Sequence, residues 1–156
     1  MTRTNDSMDG QSLVEVLLQQ TDVLQKMHSV VVKQREALKE GRLELLQQLM
    51  KEQQSLAFEG EALEQERRRL AGRLSSAYHC APTIMEFCSF LPEQEGVELR
   101  EAAEALIPVV RNLQAEIGIL SRLVDENRAL SDILLAEWRR LEGMAAPGCG
   151  GLDMSV

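Results

Sequence analysis

Apolar residues recur along most of this chain at alternating steps of four and three. In the first segment they fall at Leu13, Leu17, Leu24, Met27, Val31 and Leu38, with Gln20 and Gln34 taking the missing beats. Val16, Val23, Val30 and Ala37 run alongside as a second row and widen the stripe. That rhythm places every beat on one face of an α-helix and predicts a core-facing helix with coiled-coil-like packing. Ser12 stands three residues before Glu15, the spacing at which hydroxyl and carboxylate cap a helix start reciprocally, so the helix is predicted over about 12–40. Gly41 then tolerates the left-handed closing turn of a helix. A tight reversal at Glu40–Arg42 makes the next helix antiparallel to the first; a single kinked helix is the alternative.

The second segment, about 42–78, carries Leu46, Leu49, Leu56, Leu63, Leu70, Leu74 and Ala77 on the same rhythm. Gln53, Gly60 and Arg67 occupy seam positions there and weaken it. The rhythm fails between His79 and Gly96. Pro82 and Pro92 bracket a cluster of Ile84, Met85, Phe87, Cys88, Phe90 and Leu91. A short helix over 83–91, plugging one end of a bundle, fits this pattern, since proline is tolerated in a first helical turn but not deep inside. The last helix, about 96–142, keeps the beat from Leu99 to Leu141, with Pro108 predicted to kink or restart it. Gly143 and Pro147 stop it. The polar residues 1–11 are predicted to be a disordered N-terminus, and 144–156, rich in glycine, a flexible tail. The prediction is an all-α fold: an elongated antiparallel bundle of three long helices plus one short helix, roughly 45–60 Å end to end.

Composition supports that class. Hydrophobic residues make up 44% of the 156, but aromatic ones only 3%, so the core must be aliphatic, as in long helices packed side by side. The net charge of −8 argues against nucleic acid, which relies on a basic surface. Cys80, Cys88 and Cys149 form no CxxC pair, which points to reduced thiols and a cytoplasmic location. No apolar run serves as a signal peptide or a membrane-spanning helix, so no membrane insertion is expected.

Candidate chemistry is sparse. His28 lacks the Glu-x-x-His context of a di-iron bundle. His79, Cys80 and Cys88 offer three soft ligands but neither the tight paired spacing nor the fourth ligand of a zinc site. The glycines form no phosphate cradle. No catalytic residue, metal or cofactor is expected, and the chain reads as a non-enzyme that binds protein.

The last helix carries the information about binding. Beside its main seam, Ala102, Val109, Leu123 and Leu130 form a flanking row, and Ile119 and Ile133 a third edge, with Leu135 nearby. A helix apolar over such an arc either lies deep in a core, its own or a homodimer's, or has a further helix to bind. Asn127 on a seam beat either specifies register or bonds a client's backbone, and Trp138 is either an anchor or a cap.

The stretch from Gln34 to Leu46, continuing through Lys51-Glu-Gln-Gln to Leu63-Glu-Gln-Glu-Arg67, resembles the FlgN family of flagellar type III export chaperones. In that family a helix with an E-x-x-AL-like run meets a glycine, and a Leu-rich helix follows. Leu123-Val-Asp-Glu-Asn127 through Trp138 is similar to the family's last helix. The resemblance covers roughly Ser12 to Gly143. It implies a cytoplasmic chaperone that holds the amphipathic terminal helix of hook–filament junction (hook-associated) proteins, prevents their premature assembly and hands them to an export gate component. By position, client contact falls on Leu113, Ile117, Leu120, Leu123, Val124, Asn127, Leu130, Leu134 and Trp138. The family docks at the gate through a C-terminal aromatic; the tail here has no tyrosine, so the role has no matching residue unless Trp138 serves it. A chaperone of this kind is expected to be a monomer or weak homodimer. The alternative is a structural or regulatory coiled-coil protein that uses its stripe in a stable homodimer.

Overall fold

The structure, a computed structural model, describes residues 2–145. Four helices follow in order: α1 (Thr2–Lys39), α2 (Leu43–Tyr78), α3 (Ile84–Phe90) and α4 (Glu93–Ala145). No strand occurs among the described residues. The chain divides into two compact units, one ending at Gly118 and the other beginning at Ile119.

The first unit is built on the reversal at Gly41. Gly41 takes φ +68°, its N–H donates to the Leu38 carbonyl at 3.2 Å, and the Arg42 N–H donates to the Ala37 carbonyl at 2.9 Å. This pair of bonds satisfies carbonyls that a helix end otherwise leaves orphaned, and it needs a residue at ease with positive φ. The chain therefore turns at Gly41. Asp9–Arg73, Gln20–Glu64 and Gln34–Gln53 pair α1 with α2 in opposite directions along the hairpin.

Two apolar clusters fill the unit. In the first, Leu13, Val16 and Leu17 of α1 meet Leu70, Ala71 and Leu74 of α2, Phe87 and Leu91 around α3, and Leu99 and Ala102 of α4. The second joins Val23, Val30 and Ala37 to Leu49 and Leu56. The beats that break the heptads meet one another. Gln34, 2% exposed, donates its amide to the Gln53 carbonyl at 2.7 Å. Gln20 donates to the Glu64 carboxylate at 3.0 Å, which Arg67 also grips, and Val23 packs toward Gly60. Placing polar beats opposite each other gives each amide N–H an acceptor and fixes the register of the two helices, while the Gln20 and Gln34 Oε1 atoms stay buried without a partner.

The N-terminal residues depart from the expected disorder. α1 begins at Thr2, not at Ser12. Tertiary contacts hold the added turns: Ser7 hydrogen-bonds Glu95, Asp9 pairs with Arg73 at 3.1 Å, and Gly10 lies so close to Leu91 that a Cβ would sit 3.0 Å from its side chain. Propensity alone would leave so polar a segment unfolded; packing against α2 and α4 overrides it.

α3 closes one end. Thr83, in extended conformation, caps it by accepting the Glu86 N–H at 3.3 Å, and Phe87 is its buried plug. Tyr78 and Phe90 stack with centroids 5.2 Å apart. α4 starts at Glu93 directly after Pro92 and runs parallel to α1, tied by Ser7–Glu95 near its start and by Arg35–Glu116, 2.9 Å apart, further on. Pro108 neither ends nor restarts it: the helix is continuous through that position. Pro108 is exposed, so water can take the carbonyl its missing N–H leaves free.

Candidate protein-binding surface

No group of three or more His, Cys, Asp or Glu side chains among the described residues could hold a metal ion. Cys80 and Cys88 are partly buried free thiols, and the Cys88 thiol donates to the Gly96 carbonyl at 3.3 Å. His79 closes α2 in the left-handed conformation. His79 and Cys80 thus stand at the end of α2, and Cys88 ties α3 to the first turn of α4. Cys149 lies outside the described residues. No described helix is long and apolar enough to cross a membrane.

The remaining candidate is α4, whose apolar rhythm continues past the last buried residue. Leu99, Ala102 and Leu113 are the buried apolar residues of α4, and all lie in the first unit. Of the residues expected to touch a client, Leu113 is thus an interior residue, 7% exposed, and not open surface. Ile117, also in the first unit, is exposed. The other seven lie in the second unit. Leu120 and Leu123 are half-buried, whereas Val124, Asn127, Leu130, Leu134 and Trp138 are exposed. Ile119, Ile133, Leu135 and Leu141 join them as exposed large apolar side chains. Ile119, Ile133 and Leu135 were legible as edges of the stripe, and Leu141 as its final beat.

At 3.6 residues per turn, the apolar side chains from Ile119 to Leu141 span an arc of about 200°. The opposite side carries Arg122, Asp125, Arg128, Asp132, Arg139 and Arg140. Glu126, Glu137 and Glu142 fall within the arc itself, so its apolar side chains are interleaved with acidic ones. Glu137 and Arg140 form an ion pair one turn apart, and the Glu137 hydrogen bond holds the Arg140 guanidinium above its ordinary pKa. The Trp138 indole N–H donates to Glu142 at 2.9 Å within the helix. With its donor engaged, Trp138 offers a partner chiefly its apolar face. An apolar surface of this extent, bordered by charge, is the signature of a partner site more than of ordinary monomer surface.

Among families of known proteins, the one described as FlgN protein matches residues 8–141. No curated protein and no solved structure matches the chain.

Proposed function

The chain belongs to the FlgN protein family, a family of flagellar export chaperones, and from that premise we propose that it chaperones hook–filament junction (hook-associated) proteins. It binds their amphipathic terminal helix in the cytoplasm, keeps them from assembling early and delivers them to an export gate component of the flagellar type III apparatus. The observation that carries this proposal is the family match over residues 8–141, which takes in nearly all of the first unit and the whole exposed arc. The arc supplies the physical means. An aggregation-prone amphipathic helix needs a complementary apolar face, and α4 offers one between Ile119 and Leu141. Client contact falls on Leu120, Leu123, Val124, Asn127, Leu130, Leu134 and Trp138, with Ile117 in the first unit a further contact. The chain acts as a monomer or weak homodimer.

Titration calorimetry of the full chain with a purified hook–filament junction protein tests this. Wild type is expected to bind one to one, and Leu123→Asp/Leu130→Asp to bind at least 100-fold more weakly, since two buried-interface leucines replaced by charge cost several kcal/mol. Equal binding by both moves the site off α4. Absence of binding by wild type, together with a concentration-independent dimer in sedimentation, favours the structural coiled-coil protein instead.

A further inference from the structure

We infer that a second copy of this chain docks on the outer face of α2, the two α2 helices running antiparallel about a two-fold axis at Gln54. Phe58 of each copy fills a groove on the other. The surface lies in the first unit, so the inference neither uses the arc of α4 nor depends on client binding. Phe58 is 71% exposed, and Met50, two turns earlier, is 57% exposed. At about 100° per residue, Met50, Gln54 and Phe58 lie within about 80° of one another. They occupy the side of α2 turned away from the buried Leu49 and Leu56. Beside Phe58, Gln47, Met50, Lys51, Gln53, Gln54 and Ala57 line an open groove of about 600 Å³. Knob and hole therefore share one face.

A two-fold axis at Gln54 matches them. It sets each residue opposite the one equally far from Gln54 on the other side, so Phe58 arrives level with Met50 and Lys51, at the groove of the other copy. By helical phase Lys51 and Phe58 point to the same flank, and in the pair their levels differ by about 1.5 Å, which lays the ammonium against the ring. Met50 meets Ala57 of the other copy on the opposite flank. Gln54 meets Gln54 of the other copy at the axis, where each amide has both a donor and an acceptor to offer. Charge selects this orientation. A parallel pairing in register stacks Lys51 on Lys51 and Glu61 on Glu61, whereas the antiparallel one holds the two Glu61 carboxylates about 21 Å apart along the axis. A foreign helix would need an aromatic knob and a cation at the spacing that a second copy brings by symmetry. One helix-on-helix contact falls below the roughly 1,200 Å² of a standard interface, so the dimer is weak, with a dissociation constant on the order of 100 μM.

Sedimentation of the full-length chain over roughly 5–500 μM, either side of that constant, tests this. Wild type is expected to pass from monomer to dimer across the range. Phe58→Asp should weaken self-association at least 10-fold, and Lys51→Glu should weaken it too. Leu130→Asp, on α4, should leave the transition where it is. Because Phe58 is exposed, Phe58→Asp should melt as wild type does, which keeps loss of the dimer distinct from loss of the fold. Cross-linking fixes the orientation. In a chain carrying Cys149→Ser, Gln54→Cys should oxidise to a covalent dimer at the top of the range, and Glu61→Cys, about 21 Å from its mate, should not. A wild-type chain that is monomeric throughout overturns the inference and leaves the chaperone proposal standing. A dimer indifferent to Phe58→Asp but dissolved by Leu130→Asp overturns it as well, and turns the arc of α4 into a self-association site. Equal oxidation of both cysteine variants overturns the antiparallel arrangement about Gln54.

Discussion

Three residues show how local chemistry sets the first unit. Gly41 sits at positive φ with no atom near enough to meet an added Cβ, so Gly41→Ala isolates the backbone cost of a left-handed alanine, about 1 kcal/mol, in urea denaturation. Gly72 makes the opposite case. It lies mid-helix in α2 with open space beside it, and Gly72→Ala is expected to stabilise by about 0.5–1 kcal/mol. Glu64 is the residue whose charge matters. The Arg67 hydrogen bond, helped by Gln20 and Arg68 against the opposing pull of burial, lowers its carboxyl from 4.5 to about 2. A carboxyl whose folded pKa is depressed adds stability above its unfolded pKa, and that stability drains away as pH falls through the folded one. The window here is pH 4.5 down to about 2. Because Glu64 is partly exposed, solvent screening reduces the effect to about 1 kcal/mol. Denaturation of wild type and Glu64→Gln at pH 6 and pH 3 checks it: the gap between them should narrow in acid.

Among the helices, the seam shows what periodicity can and cannot convey. The repeat from Leu13 to Leu38, and from Leu46 to Leu74, was enough to name α1 and α2 and the glycine that joins them. It did not reveal that Gln34 would meet Gln53, because which beats face each other depends on the register of two helices and not on either alone. Sequence read those glutamines as interruptions; the hairpin uses them as a matched pair. Gln34→Leu alone should cost about 1–2 kcal/mol by stranding Gln53, and Gln34→Leu/Gln53→Leu should recover that loss, a coupling a double-mutant cycle in urea would measure. Residues 2–11 escaped for a similar reason. Their helix rests on Arg73, Leu91 and Glu95, distant in sequence and silent in a local pattern. The arc of α4 was legible as a pattern but not as a surface, since a buried seam and an open one share the same spacing. Leu113 and Leu120 stand one heptad apart on one rhythm, yet only the first is buried.

For the molecule as a whole, the buried apolar residues and most of the proposed client contacts fall in different stretches of chain. Every buried apolar side chain among the described residues belongs to the first unit. Substitutions on the second unit's arc, such as Leu130→Asp, are therefore expected to shift the thermal midpoint by less than about 0.5 kcal/mol equivalent while abolishing client binding. Client-free hydrogen exchange should show the same division, with amides of residues 99–113 far better protected than those of 124–143, a helix without a buried face being marginal in water. Trp138 gives the arc a further property. It is the chain's sole tryptophan, it stands 63% exposed, and the rest of the protein holds just one tyrosine to compete with its emission. Excited at the red edge of its absorption, the molecule emits light from the arc and from nowhere else. A blue shift and a rise in quantum yield then report a filled arc without any label, whereas melting the aliphatic interior leaves the colour of that emission almost unchanged.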